Sequence, residues 1–191
     1  FLSDASSKPW FKNTVFVVVA DHCAGSAGRA ELPVKNYHIP LIIYAPGGQL
    51  PVGHTKTLAS QIDYAPTLLG LLNWSYPSRF FGHDVRTIPP DEGHAIIGNY
   101  QKLGHIEEGD FIILKTGRKN LAYHYDFAKR TMINTTVDDA ALTETISYYQ
   151  IASYLYKHGL YNALTADEFA SCMKQGRTMA AKTRLLNQRE S

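Results

Sequence analysis

The hydrophobic pattern changes character along the chain. Residues 15–19 (VFVVV) and 41–45 (LIIYA) are unbroken apolar runs, the pattern of strands covered on both faces of a parallel or mixed sheet. Lys12-Asn13 and Pro46-Gly47-Gly48 bound them as polar or turn-forming punctuation. Residues 60–72 (SQIDYAPTLLGLL) then predict a short helix, with Asp63 at its start, Pro66 in the first turn and four leucines for its apolar surface. Strand, loop, strand, loop and helix give an α/β fold.

Beyond a long link rich in proline and glycine (76–93), the runs become shorter. Residues 94–97, 111–114 and 121–125 predict strands, with a turn at 116–120. They form a small antiparallel extension, placed by this reading at one edge of the main sheet. From Asp138 the period becomes helical: Ala141, Leu142, Ile146, Tyr149, Ala152 and Tyr156 share one face. Gly159 ends that helix, and Thr165-Ala166-Asp167-Glu168 has the form of a capping box for another. The expected divisions are a core at 1–93, the antiparallel extension at 94–137 and a terminal helical segment at 138–191.

Composition narrows the function classes. The 191 residues are 45% hydrophobic and 12% aromatic, enough for a real core. A net charge of +2, from 19 basic and 17 acidic groups, argues against a nucleic-acid partner. No apolar stretch approaches the roughly 18 residues of a membrane span, and the opening FLSDASSKPW lacks the form of a signal peptide. Cys23 and Cys172 make no CxxC motif; one disulfide between them is open.

The chemistry concentrates where the first strand ends. Asp21 and His22 follow VFVVVA directly, and ligands gather at the carboxyl ends of such strands because the sheet fixes the backbone while loops aim the side chains. A carboxylate and an imidazole are ligands for zinc or manganese, although two ligands do not complete a site and Asp-His after a strand is more often structural. Cys23 is either a third ligand or a small buried hydrophobe, and the inert role is favoured. Arg29, His38 and His54 lie in loops able to reach the same crevice. Arg29 suits an anionic, oxygen-rich substrate, while each of the three has an ordinary surface role as its alternative. Asp63 is read as a helix cap. His83, His94, His105, His124 and His158 show no metal-ligand spacing, and the tyrosines of 148–161 are read as packing.

The order of ADH, HIPLIIYAPG, GHT and ASQIDYAPTLLGLL resembles the C-terminal part of the sulfatase-like catalytic domain of the alkaline phosphatase superfamily. Within it the likeness is to lipoteichoic acid synthases and related phosphoglycerol transferases, from about residue 13 to 85. The resemblance implies an alkaline-phosphatase-like sandwich with a mixed sheet, an antiparallel extension and terminal helices. It implies a divalent metal held by Asp21 and His22, with manganese favoured and calcium or zinc as alternatives. His54 matches a histidine that serves a second metal in some relatives. The family's nucleophile, a threonine or a modified cysteine or serine, falls upstream of this chain, as does an early acidic ligand. The implied partners are the N-terminal portion of the catalytic domain and a phosphoglycerol lipid or a sulfate or phosphate ester. The implied location is the extracytoplasmic face of a bacterial inner membrane or the periplasm. The alternatives are a sulfate-ester hydrolase and a noncatalytic α/β interaction fragment.

Overall fold

Two separate antiparallel sheets and four α-helices are found among the described residues of the computed structural model, which describes residues 1–23, 25 and 31–187, with side chains through 176. After a one-turn helix α1 (Leu2–Ala5), β1 (Phe16–Val19) pairs with β2 (Leu41–Tyr44) in a register that sets Phe16 opposite Tyr44 and Val19 opposite Leu41. Phe16 stacks on Tyr44 across the pair and meets Phe1, Trp10 and Phe11 from the N-terminal segment. Helix α2 (Tyr64–Leu71) follows a single 3₁₀ turn at Gln61–Asp63.

The second sheet has five strands in sequential order: β3 (His94–Gly98), β4 (Lys102–Glu107), β5 (Asp110–Lys115), β6 (Lys119–Asp126) and β7 (Thr131–Asn134). The β4–β5 hairpin turns on Glu108 and Gly109, both with positive φ (49° and 90°). That is the geometry of the two-residue turn whose twist matches paired strands. Helices α3 (Asp139–Lys157) and α4 (Ala166–Asn187) complete the chain.

The predicted α/β class, with its antiparallel extension and terminal helices, is the observed one. The extension, however, is a sheet of its own and not an edge of the first, because among the described residues β3 to β7 form strand ladders only with one another. The apolar runs of β1 and β2 are also less covered than their composition predicts: Val18 is 51% and Ile42 57% exposed. Strands β4 and β7 add to the three predicted in this region.

Alternation assigns the two faces of the larger sheet different work. One face carries Ile106, Phe111 and Ile113, which bury Leu32 completely and gather Val34, Tyr37, Leu58, Leu121, Tyr123 and Met132 around them. This is the hydrophobic core, and it ties the loop after β1 to the second sheet. Lys102 and Lys115 reinforce that tie by pairing with Glu31, whose carboxyl they hold below its usual range. The opposite face carries His94, His105, Ile112 and Leu114, and α3 lies against it. Tyr149 of α3 donates its hydroxyl to the Gly104 carbonyl at 2.8 Å, and Thr145 is fully buried.

Gly104 packs directly against the core cluster. A Cβ there would stand 2.7 Å from the Phe111 ring and 3.0 Å from Leu32. Gly104→Ala is expected to destabilise the chain by about 1–3 kcal/mol through overpacking, read as a lower urea midpoint. An unchanged midpoint would show that the Phe111 ring moves freely.

Both helix-start expectations in the C-terminal segment hold in detail. The Asp138 carboxylate accepts from Ala141 N at 2.9 Å. The Glu168 carboxylate accepts from Thr165 N at 2.8 Å while Thr165 Oγ1 accepts from Glu168 N at 3.2 Å, the reciprocal bonds of a capping box. Cys23 and Cys172 are both free thiols, so the disulfide left open by the sequence is not formed.

Candidate metal and substrate site

Strand β1 delivers Ala20, Asp21 and His22 to a surface turn. The paired strand stops at Val19, so the next residues leave the ladder and their side chains are aimed by the turn alone. Asp21 and His22 are strongly exposed, their side chains at 89% and 77%, and Asp21 Oδ1 lies 3.7 Å from His22 Nε2. The backbone N–H of His22 donates to the same Asp21 oxygen at 3.0 Å.

His22 Nδ1 stands 2.7 Å from the Cys23 carbonyl. A carbonyl can only accept, so Nδ1 carries the proton and Nε2 is left with its lone pair on the Asp21 side. This is how a metal-binding histidine is commonly held: one ring nitrogen donates to an outer partner, fixing the tautomer and raising the basicity of the other. The Cys23 carbonyl first, and the Asp21 charge second, raise the His22 pKa above its ordinary value. The carboxylate–imidazole pair therefore fits a divalent ion as part of its ligand set. Among the described residues, no group of three or more His, Cys, Asp or Glu side chains is placed to hold a metal. Cys23 enters the arrangement through its backbone oxygen, at the back of the His22 ring.

Gln61 completes the local frame. Its side-chain amide donates to the Ala20 carbonyl at 2.9 Å and more weakly to the Asp21 carbonyl at 3.3 Å. The loop after β1 is thus tethered to the 3₁₀ turn that opens α2. That turn is itself fixed by a reciprocal cap. The Ser60 hydroxyl accepts from the Asp63 backbone, and Asp63 Oδ2 accepts from Ser60 N at 2.7 Å. Asp63 Oδ1 accepts from His83 N at 2.8 Å, and Ser60 Oγ accepts from Ile96 N at 2.6 Å. Asp63 is 4% exposed. Its role as a cap is therefore displaced from the expected place: it closes the turn before α2 and holds the 76–93 link, and makes no side-chain cap bond to α2. Sequence reading missed Gln61 and Ser60, and the spacing S-x-x-D was the available signal for the second.

Of the remaining candidates, His38 follows the 3₁₀ turn Val34–Tyr37 and is exposed. His54 is exposed in the loop after β2. Neither shares a hydrogen bond or ion pair with Asp21 or His22 among the described residues. Arg29 lies outside the described residues.

Three histidines left unassigned from sequence come together elsewhere. The rings of His83 and His94 are 5.9 Å apart and those of His94 and His105 5.5 Å, with Tyr148 of α3 about equally close to the last two, at 5.2 and 5.1 Å. Their separation in the sequence hid this, because the β3–β4 register sets His94 opposite Glu107 and His105 opposite Ile96, one diagonal step apart on a single face.

The comparisons with known proteins agree with this layout. Residues 1–74 match the sulfatase family model. Over 86% of its length the chain is similar to a solved structure, a protein in the alkaline phosphatase superfamily from Vibrio parahaemolyticus, with a TM-score of 0.76 and 27% sequence identity. The chain spans 40% of the length of that protein. The N-terminal part of the chain is thus similar to sulfatases by sequence, and the chain as a whole is similar in fold to a portion of that alkaline-phosphatase-superfamily protein.

Proposed function

We propose that the complete protein is a metal-dependent phosphoglycerol transferase or phosphodiesterase of the lipoteichoic acid synthase kind. The observation that carries this is the Asp21–His22 turn, in which the Cys23 carbonyl fixes the imidazole with Nε2 beside the Asp21 carboxylate. Asp21 and His22 would hold a divalent ion; the resemblance to lipoteichoic acid synthases favours manganese, with calcium or zinc as alternatives, and a carboxylate with an imidazole is a donor pair that zinc and manganese both accept. The ion, when bound, supplies Lewis-acid stabilisation of the nucleophile and of charge on the transferring group.

An upstream threonine is the nucleophile of this reading. Its oxygen forms a bond to phosphorus as the bond from phosphorus to the lipid alcohol breaks, and that alcohol leaves with a proton. Water or a glycerol hydroxyl then displaces the threonine. Arg29, His38 and His54 are the candidates for contacting the non-bridging oxygens. The upstream portion of the catalytic domain is the partner of this chain. The exposed apolar side chains Val18, Leu41 and Ile42 support that part of the reading, since strands of this composition ordinarily lie covered. The same resemblance to lipoteichoic acid synthases puts the proposed reaction at the extracytoplasmic face of a bacterial inner membrane or in the periplasm. No helix among the described residues is long and apolar enough to cross one.

The sulfatase match of residues 1–74 favours one second reading, hydrolysis of a sulfate ester by a modified cysteine or serine. Both are tested by incubating the complete, metal-loaded protein with a phosphoglycerol lipid and with an aryl sulfate. Release of diacylglycerol with a threonine adduct of one phosphoglycerol unit supports the first. Sulfate release supports the second. Neither product, together with no metal uptake, would reduce the chain to a noncatalytic interaction fragment.

A further inference from the structure

The histidines beneath α3 form a seam with unusual electrostatics. His94 and His105 are 7% and 4% exposed, and the Nε2 atom of each is buried with no hydrogen-bond partner. Thr145 Oγ1 reaches His105 Nδ1 at 3.4 Å while donating to the Ala141 carbonyl at 2.8 Å. The neutral pair is tolerated there as a flat, weakly polar surface against the Tyr148 ring. A charged pair is not, because two imidazolium ions with centroids 5.5 Å apart would repel in a site closed to water.

We propose that this seam is an acid-operated latch: when His94 and His105 take up protons, α3 lifts from the sheet while the five strands stay paired. The groups that face the pair relieve the charge only in part: Asp63 and Glu144 attract charge on His94 without offsetting its burial, His83 opposes it, and His105 has burial and His94 against it. On the 3₁₀ turn before α2, both Asp63 oxygens are committed to the backbone amides of Ser60 and His83. His83 on the 76–93 link is a further potential cation. On α3, Glu144 attracts charge on His94 more weakly than burial disfavours it, and Tyr148 is a neutral phenol with its own ionisation pushed upward. Glu107 on β4 is itself held partly toward its neutral form by burial and by Glu144, Glu108 and Glu92.

Burial lowers the pKa of His94, and burial with the His94 charge pushes that of His105 down to about 4. Once α3 has lifted, both rings meet water and regain a pKa of about 6.5. The open form thus binds more protons than the closed form between about pH 6.5 and 4. The latch is fully engaged above that window and weakens as the pH falls through it, by at most about tenfold per pH unit for each histidine.

The fold separates this seam from the part that must hold. The core cluster of Leu32, Ile106, Phe111 and Ile113 lies on the other face of the sheet. The C-terminal half of α3 is attached loosely, with Ile151, Tyr154 and Tyr156 all more than half exposed. A local opening of one helix is therefore the low-energy response.

Native-state hydrogen exchange of the full chain from pH 7.5 to 4.5, corrected for intrinsic rates, tests the latch. The expected result is an opening constant for the α3 amides that rises below pH 6.5 by up to about tenfold per pH unit for each histidine, about a hundredfold for the two together, while the β5 amides stay protected, and a flat profile for His94→Gln/His105→Gln. Simultaneous loss of protection in α3 and β5, or an unchanged acid response in the double variant, would overturn it. The imidazole titration of the wild-type chain by proton NMR decides the matter if that variant fails to fold. A His105 midpoint well below 6 supports the latch, and one at 6.5 removes it.

Discussion

His22→Ala and Asp21→Ala, each made in the complete catalytic domain, are expected to weaken divalent-metal binding by more than about 100-fold and to lower turnover in proportion. The magnitude follows from the smaller loss, about 10–100-fold, usual when only an outer partner of a metal ligand is removed. Stability should barely change. Both side chains are strongly exposed, and exposed substitutions usually fall within about 0.5 kcal/mol. The combination is diagnostic: isothermal titration with manganese reads the first effect and thermal unfolding of the metal-free protein reads the second. Retained manganese affinity in both variants would sink the metal assignment. A large loss of metal-free stability would instead make Asp21–His22 a structural turn.

A third substitution separates geometry from ligation. The His22 ring is oriented by a backbone carbonyl, so Cys23→Ser should leave metal binding nearly intact. A loss as large as that of His22→Ala would show the thiol to be a ligand, the role disfavoured from sequence.

How legible this was depends on what carried each signal. The β1 and β2 runs, the helix at 64–71, and both terminal helices followed from apolar period and capping chemistry, which are local. Strand β4 did not, since KLGHIE puts Gly104 and a histidine where strand formers are expected. Its place depends on Phe111 and Leu32 filling the space above Gly104, a tertiary fact. The separation of the two sheets was likewise invisible, because strand order depends on pairing partners and not on composition. At the site, the Asp-His adjacency was legible as chemistry. The tethering of its loop by Gln61 was not, as the bond spans 41 positions. The histidine seam needed the β3–β4 register, which places residues 94 and 105 side by side.

The largest stability effect expected of a single polar substitution lies at Asp63. Its carboxylate accepts from two backbone amides, Ser60 N and His83 N, and is almost wholly buried. Asp63→Ala leaves both donors without a partner, and each bond to a charged acceptor contributes about 1.5–3 kcal/mol. A loss of about 3–5 kcal/mol is the expected result, with Asp63→Asn losing roughly half because an amide oxygen can still accept from one donor. Urea unfolding with an unchanged slope would check it; a loss below 1 kcal/mol for Asp63→Ala would mean that water satisfies the two amides. The effect should also travel. Ser60 and Asp63 flank Gln61, and Gln61 holds the Ala20 and Asp21 carbonyls, so a loosened cap frees the turn that carries the candidate ligands. In the complete protein, Asp63→Asn is therefore expected to weaken manganese binding several-fold, although Asp63 touches neither Asp21 nor His22. Ser60→Ala removes the acceptor for Ile96 N as well, and should reproduce that metal effect while also loosening the start of β3.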